Sequence, residues 1–288
     1  EKNSSINNIR KKLFNKNKLD NNSKILVLRE QGVGDEILYG TMYQDLLESY
    51  KNITIECDHR LKNIFQNSFP KYKNCFVSLG EISENEKSLD LYEAVIYAGS
   101  LGKFFRNSKK DFGDGCYLHA DNKLLEFAKN ELEKQIEKKN IGISWKSFKN
   151  RYADEKSLSL EDLNNVFETK KCNFINLQYG DVHNEIENYK KKYNKNIITI
   201  ENLDIFNDFD KLAAVLKNLD LFISVSNSTA HLAASLGVKT LLVRPEKHAL
   251  FHYWNQPSEK TPWYDSITFL EKNKLLTEKS LIDNYLSI

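Results

Sequence analysis

Of the chain's 288 residues only four are cysteine, four proline and one methionine, and charge of one sign barely exceeds the other. Cys57, Cys75, Cys116 and Cys172 stand far apart, with no CxxC pair and no histidine at zinc-ligand spacing. That excludes a zinc ribbon or finger and leaves buried free thiols, which suit a reducing cytosol better than secretion. Proline is scarce and no repeat period emerges, so a solenoid is excluded. Forty-two Lys and Arg against 40 Asp and Glu give +2, too small an excess for general attraction to nucleic acid. No apolar run approaches the roughly 20 residues that span a bilayer. The first residues carry no signal-peptide core and no initiator methionine, which suggests a processed or trimmed piece of a longer protein.

What is present is a 40% hydrophobic share, enough to bury substantial cores, in a length that holds two domains. Residues 1–22 are polar and basic and read as a linker or arm with at most a short helix around Ile6–Phe14. Their basic cluster (Arg10, Lys11, Lys12, Lys16, Lys18) offers at most peripheral contact with an anionic membrane face, a solvated linker being the preferred reading. From there strands and helices alternate. "KILVLRE", "NITIEC", "NCFVSL" and "EAVIYA" are strands, and a helix carries Ile37, Leu38, Met42, Leu46 and Leu47 on one face. A charged amphipathic helix over 122–139 bridges to a second block. There "NIGISW", "NFINLQ", "NIITI", "LFISVS" and "KTLLV" alternate with helices near 159–168, 184–192, 211–218 and 228–236. Two such blocks predict an α/β protein of two Rossmann-like, parallel-sheet domains facing across a cleft. The divisions are an N-terminal domain over 23–139 with the bridging helix, a C-terminal domain over 140–270, and a tail helix over 271–288. Ligands in such sheets bind beyond the carboxyl ends of the strands.

The richest strand end is "LFISVSNSTAHLAASLGVKTLLV". Asn227, Ser228 and Thr229 are good N-cap residues, and the same geometry aims amides and a partial positive charge at an anion. Ser228, Thr229 and His231 could then donate to a diphosphate; an ordinary capped helix is the alternative. In "GISWKS", Lys146 would meet an anionic leaving group. In "NLQYGD", Gln178, Tyr179 and Asp181 could grip a base, ribose or sugar. Asp208 and Asp210 form a literal DxD, but directly before a helix they read as dipole-complementing caps, and no metal is expected. "LREQGVGDEILYG" is neither GxGxxG nor a P-loop. Asp35 there is either a helix-initiating acid or a base facing the cleft.

Together these segments, with "RLKNIFQNSFP", "YAGSLGKFFR", "SLSLEDL" and "PWYDSITFL", resemble the heptosyltransferase-like glycosyltransferases of family 9, especially the domain that follows tetratricopeptide repeats in bacterial proteins. The resemblance implies the GT-B fold and an inverting, metal-independent transfer from a nucleotide-sugar, without a cofactor. It implies Asp35 as the acceptor base and Ser228, Thr229 and His231, with Lys146, at the donor diphosphate. Asn227, Gln178 and Tyr179 are further candidates for donor recognition. Closure of the two domains would bring Asp35 to the donor and exclude water. The acceptor would be a glycan, lipid or protein, recruited by an upstream tetratricopeptide region, in the cytoplasm or at the inner membrane face. ADP-heptose is not implied as donor. The rival readings are an inactive nucleotide-sugar-binding or interaction module, and a sugar-nucleotide epimerase.

Overall fold

The computed structural model describes residues 9, 12–135, 137, 139–148, 153–245, 250–279 and 281–286. The chain divides into two compact units, Glu1–Phe112 and Gly113–Ile288. Among the described residues no helix is long and apolar enough to cross a membrane.

Unit 1 is built on four parallel strands, β1 (Lys24–Leu28), β2 (Asn52–Cys57), β3 (Phe76–Ser78) and β4 (Ala94–Tyr97), in the order β3-β2-β1-β4. β1 lies at the centre, with Val27 opposite both Ile55 and Ile96. Its last four residues are all buried, the continuous apolar run expected of a strand covered on both faces. The expected single helix after β1 is two, α1 (Val33–Gly40) and α2 (Tyr43–Ser49), broken at Thr41 and Met42. Both halves keep the predicted apolar face, for Ile37, Leu38, Met42, Leu46 and Leu47 are all buried. α3 (His59–Ser68) is capped by Asp58, whose carboxylate accepts from the Arg60 amide at 3.1 Å.

The segment read as a linker joins unit 1 from residue 9 onward. Leu13 bridges Val95 in parallel, Val95 N–H donates to Lys12 O at 2.7 Å, and Phe14 N–H donates to Val95 O at 2.9 Å. Ile9 packs with Leu26, Leu28, Leu89 and Val95. The Lys12 ammonium donates to the carbonyls of Leu89, Asp90 and Tyr92 at 3.0–3.2 Å. The open edge of β4 is thereby paired, which removes the hazard of an exposed strand edge. The expected helix over Ile6–Phe14 falls largely outside the described residues, as do Arg10, Lys11 and the Lys16 side chain.

Unit 2 has five parallel strands, β5 (Lys139–Ser144), β6 (Cys172–Asn176), β7 (Leu221–Ser224), β8 (Thr240–Val243) and β9 (Ile267–Leu270), in the order β6-β5-β7-β8-β9. β9 was not read from the sequence. The expected strand over 196–200 is reduced to a bridge, Ile198 beside Ile175. The bridging helix is α4 (Asn122–Glu133) and belongs to unit 2. It packs on α6 (Phe209–Lys217), and Asn218 Nδ2 donates to Leu125 O at 3.1 Å. Ahead of it, the amides of Tyr117 and Leu118 both donate to Ser235 O. The division between the units therefore falls at Phe112–Gly113 rather than after residue 139. α5 (His183–Tyr193) follows β6, and α7 (Ser228–Ser235) follows β7. The tail forms two short helices, Lys272–Thr277 and Leu281–Leu286.

Candidate functional site

In unit 2 the strand order reverses between β5 and β7. There the connections leave in opposite directions and open a crevice at the carboxyl ends. The residues after these strands are Trp145 to Ser147 and Ser226 to Ser228, two of the three strand ends singled out in the sequence.

Asn227 is the N-cap of α7, with an extended backbone and its Oδ1 accepting from Ala230 N–H at 3.0 Å. That bond satisfies one orphan amide and is worth about 1 kcal/mol. The amides of Ser228 and Thr229 precede the first amide that donates within the helix, that of His231, and are donors an anion could meet. Ser228 is half-buried, whereas Thr229 is 1% exposed. His231 is 3% exposed, stacks on Trp254 with ring centroids 4.9 Å apart, and its Nδ1 lies 3.1 Å from Tyr264 Oη. The histidine predicted to donate to the diphosphate is thus walled in by aromatic rings on the buried side of the helix.

Two other predicted residues brace the crevice. Gln178, 1% exposed, accepts at Oε1 from the amides of Trp145 (2.8 Å) and Lys146 (2.6 Å) and from Ser144 Oγ (3.1 Å). Asn227 Nδ2 in turn donates to Ser144 Oγ at 2.8 Å and to Lys146 O at 3.3 Å. One buried network thus joins the ends of β6, β5 and β7. The Lys146 ammonium is held 2.6 Å from Glu185 Oε2 on α5, and Glu185 Oε1 accepts from Trp145 Nε1 at 3.1 Å. Glu185 neutralises the cation that was expected to meet an anion.

A second cation was missed. Lys156 is 8% exposed, with its Nζ 4.3 Å from the centroid of Phe251. It lines a cavity of about 220 Å³ with Ser157, Leu158, Val243 and Arg244. Its chain neighbours tie it to the crevice, for Ser157 Oγ accepts from Ser147 N–H at 3.1 Å and Leu158 N–H donates to Trp145 O at 2.8 Å.

Beyond β6 lies a cavity of about 320 Å³ lined by Gln178, Tyr179, Asp181, Thr199, Leu203 and Phe206. Tyr179 packs between Phe148 and Phe206, with centroids at 5.4 and 6.2 Å. Both outer rings are about half exposed, at 47% and 53%. Gly180 permits this arrangement twice over. Its φ is +89°, and a side-chain carbon there would meet the Phe148 ring at 2.6 Å. The DxD reading as a cap agrees with the structure at Asp208, which accepts from Lys211 N–H at 2.9 Å. Among the described residues no group of three His, Cys, Asp or Glu side chains could hold a metal ion.

In unit 1 the strand order reverses between β1 and β4. Asp35 sits at the third position of α1, 8% exposed, and its Oδ2 accepts from Gly32 N–H at 3.0 Å. The glycine turn therefore places a carboxylate at the helix start, as the sequence suggested. Glu30 and Tyr39, which sequence reasoning passed over, surround it. Burial raises the Glu30 carboxyl above its usual range, against the pull of the Gly99 amide, and the charge of Asp35 raises it further. Burial, then Asp35 and Glu30, push the Tyr39 phenol up to about 12. Beside this group Glu36 is fully buried, with Oε2 accepting from Asp58 N–H at 2.8 Å. Its Oε1 lies 2.7 Å from Arg29 Nε, close but poorly aligned for a hydrogen bond. Burial raises the Glu36 carboxyl to about 7 despite that amide and Arg29.

No family model matches the sequence. It is 26% identical over 257 residues to Protein FlbA of Caulobacter vibrioides, a match that covers 85% of this chain and 42% of that protein. The chain thus spans about two fifths of the length of this curated relative. Among solved structures it is similar to the family 9 glycosyl transferase of Veillonella parvula (TM-score 0.60, 13% identity, covering 88% of this chain and 87% of that one). It is also similar to the ADP-heptose lipopolysaccharide heptosyltransferase II of E. coli (TM-score 0.59, 10% identity, 92% and 98%). Two Rossmann-like parallel-sheet units in this order, matched over nearly the whole length of both solved proteins, give the chain the GT-B fold of the family 9 glycosyltransferases.

Proposed function

We propose that the chain is a glycosyltransferase that moves a sugar from a nucleotide-sugar to an acceptor hydroxyl, with inversion and without a metal or other cofactor. The observation that carries the reading is the buried network in unit 2. It fixes the aromatic-walled cavity beyond β6 next to the amide-rich start of α7, within a family 9 fold. A nucleoside fits the cavity, stacking against Tyr179 and Phe206 and offering ribose hydroxyls to Asp181. The diphosphate meets the Ser228 and Thr229 amides and the Ser228 hydroxyl. Asn227, Gln178 and Lys146 hold the crevice in shape. Thr229 and His231 support the helix start from its buried side.

The acceptor oxygen attacks the anomeric carbon, the bond from that carbon to the diphosphate oxygen breaks, and Asp35 takes the hydroxyl proton. Help of this kind from a general base is worth roughly 10²–10⁴-fold. The acceptor is a glycan, lipid or protein that a tetratricopeptide region upstream recruits, and the setting is the cytoplasm or its membrane face. The four free cysteines suit that compartment.

A thermal-shift screen of nucleotides and nucleotide-sugars tests the donor half. A donor at 100 times its dissociation constant should stabilise the chain by about 2.7 kcal/mol. Stabilisation by none of them sinks the reading. Asp35→Asn should keep that stabilisation and lose transfer, and retained turnover would remove Asp35 from the base role.

A further inference from the structure

Between β1 and β4 the unit 1 sheet reverses its order, so its crevice lies where residues 29–35 and 97–99 leave the strands. At that point Gly99 is needed for the side chain it lacks. A carbon attached there would lie 2.9 Å from Tyr39 Cζ, 3.0 Å from Glu30 Oε1 and 3.1 Å from Tyr39 Oη. The dipole of the Gly99 amide also acts on the Glu30 carboxyl and lowers it, against burial. Tyr39 stands four residues after Asp35 on α1, on the same helix face. The close approach of one bare backbone thus fixes a carboxylate and a phenol beside the proposed base.

We propose that Glu30, held by Gly99 and Tyr39, is a positioning residue that drives proton capture by Asp35 through a second negative charge. The inference rests on the reading of Asp35 as the acceptor base. When the acceptor oxygen bonds to the anomeric carbon and the diphosphate leaves with the electron pair of the broken bond, the hydroxyl proton passes to Asp35. The charge of the carboxylate pair falls from two to one, and the relief of repulsion favours the step. The groups facing Glu30 are Asp35 and Tyr39 from α1 and the Gly99 amide from the turn after β4. The raised titration range of Glu30, set by burial and by Asp35, agrees with this coupling.

The experiment uses the full chain with UDP-glucose, GDP-mannose, ADP-glucose and dTDP-glucose. Water serves as acceptor, and free nucleoside diphosphate is measured from pH 5 to 8. Glu30→Gln keeps an oxygen for the Gly99 amide and deletes the charge. Its release rate should be about tenfold below wild type at the alkaline end, where wild-type Glu30 carries its charge. The ratio should close toward one as the pH falls and wild-type Glu30 takes up its own proton. Glu30→Asp, which keeps the charge, should follow the wild-type pH profile, and a loss of that profile in Glu30→Asp would count against the charge even if Glu30→Gln folds poorly. A wild-type-to-Glu30→Gln ratio that is constant across the range overturns the inference, because a purely structural role would lower the rate equally at every pH. If Asp35→Asn abolishes release while that ratio stays flat, only the inference fails. If Asp35→Asn releases nucleoside diphosphate as fast as wild type, the base assignment fails and the inference with it.

Discussion

Glutamine in place of Glu36 should remove a loss of stability that the wild-type chain suffers as the pH rises from 4.5 to 7. The carboxyl is wholly buried among β1, α1 and the start of α3, and burial raises it from 4.5 to about 7. In the unfolded chain it ionises near 4.5, so between these values the folded state holds a proton that the unfolded state has released. Raising the pH through the window therefore favours unfolding. The stabilising contribution is fully present below pH 4.5 and gone above about 7. At roughly 1.4 kcal/mol per unit, the whole swing is about 3 kcal/mol. Asp58 works in a separate window. Its carboxyl is lowered by its hydrogen bond to the Arg60 side chain, so its contribution is lost only as the pH falls through the acid range.

Hydrogen exchange read by mass spectrometry resolves the effect by segment. Peptides covering 24–40 and 52–61 should lose roughly 3 kcal/mol of protection free energy across the window, after correction for intrinsic exchange. Strands of unit 2 serve as the internal control. Tryptophan fluorescence gives a second control, since Trp145, Trp254 and Trp263 all belong to unit 2. Glu36→Gln mimics the protonated carboxyl and should flatten the profile in unit 1 alone. An unchanged slope in the variant would refute the assignment of the swing to Glu36.

Tyr43→Phe should stabilise the chain by about 1 kcal/mol in urea unfolding, because Tyr43 Oη is buried without a hydrogen-bond partner. Lys146→Met should weaken binding of a nucleoside diphosphate, by isothermal titration, about tenfold less than Ser228→Pro, which deletes an amide at the start of α7, since Glu185 neutralises Lys146. Equal losses would return Lys146 to the phosphate site. Gly180→Ala should cost about 1–2 kcal/mol for the left-handed backbone alone and also displace Phe148, so nucleotide affinity should fall together with Tm.

The two-sheet architecture was legible because buried parallel strands are written as short apolar runs, such as "KILVL" and "LFIS", separated by helical periods. What escaped depended on partners distant in sequence. β9 is four residues long and follows a turn-rich stretch, so only its place beside β8 identifies it. The polar arm looked solvated because nothing local shows that residues 12–14 pair with β4, some 80 residues on. Lys146 looked available for an anion because Glu185 lies 39 residues away. Gly99 was quoted in "YAGSL", yet its reason is a tertiary approach to Tyr39 and Glu30 that no spacing reveals.

Polar residues after a parallel strand divide between those that hold the crevice open and those that face what enters it, and both groups use the same residue types. Burial separates them: Gln178, Asn227 and His231 are engaged by the protein itself, while Ser228, Tyr179 and Phe206 keep surface. The same division makes a helix-initiating Asp35 compatible with the proposed catalytic one. A carboxylate has two oxygens and about four lone-pair directions. Accepting from Gly32 through Oδ2 fixes the orientation of the group without exhausting it. A base that must meet a hydroxyl within hydrogen-bond distance gains from such fixing, since a side chain held at the helix start loses little further freedom when the acceptor arrives. On this view the cap is the device that aims the base, and Gly32→Pro, which deletes the amide that Asp35 caps, should lower turnover while leaving nucleotide-sugar binding to unit 2 intact.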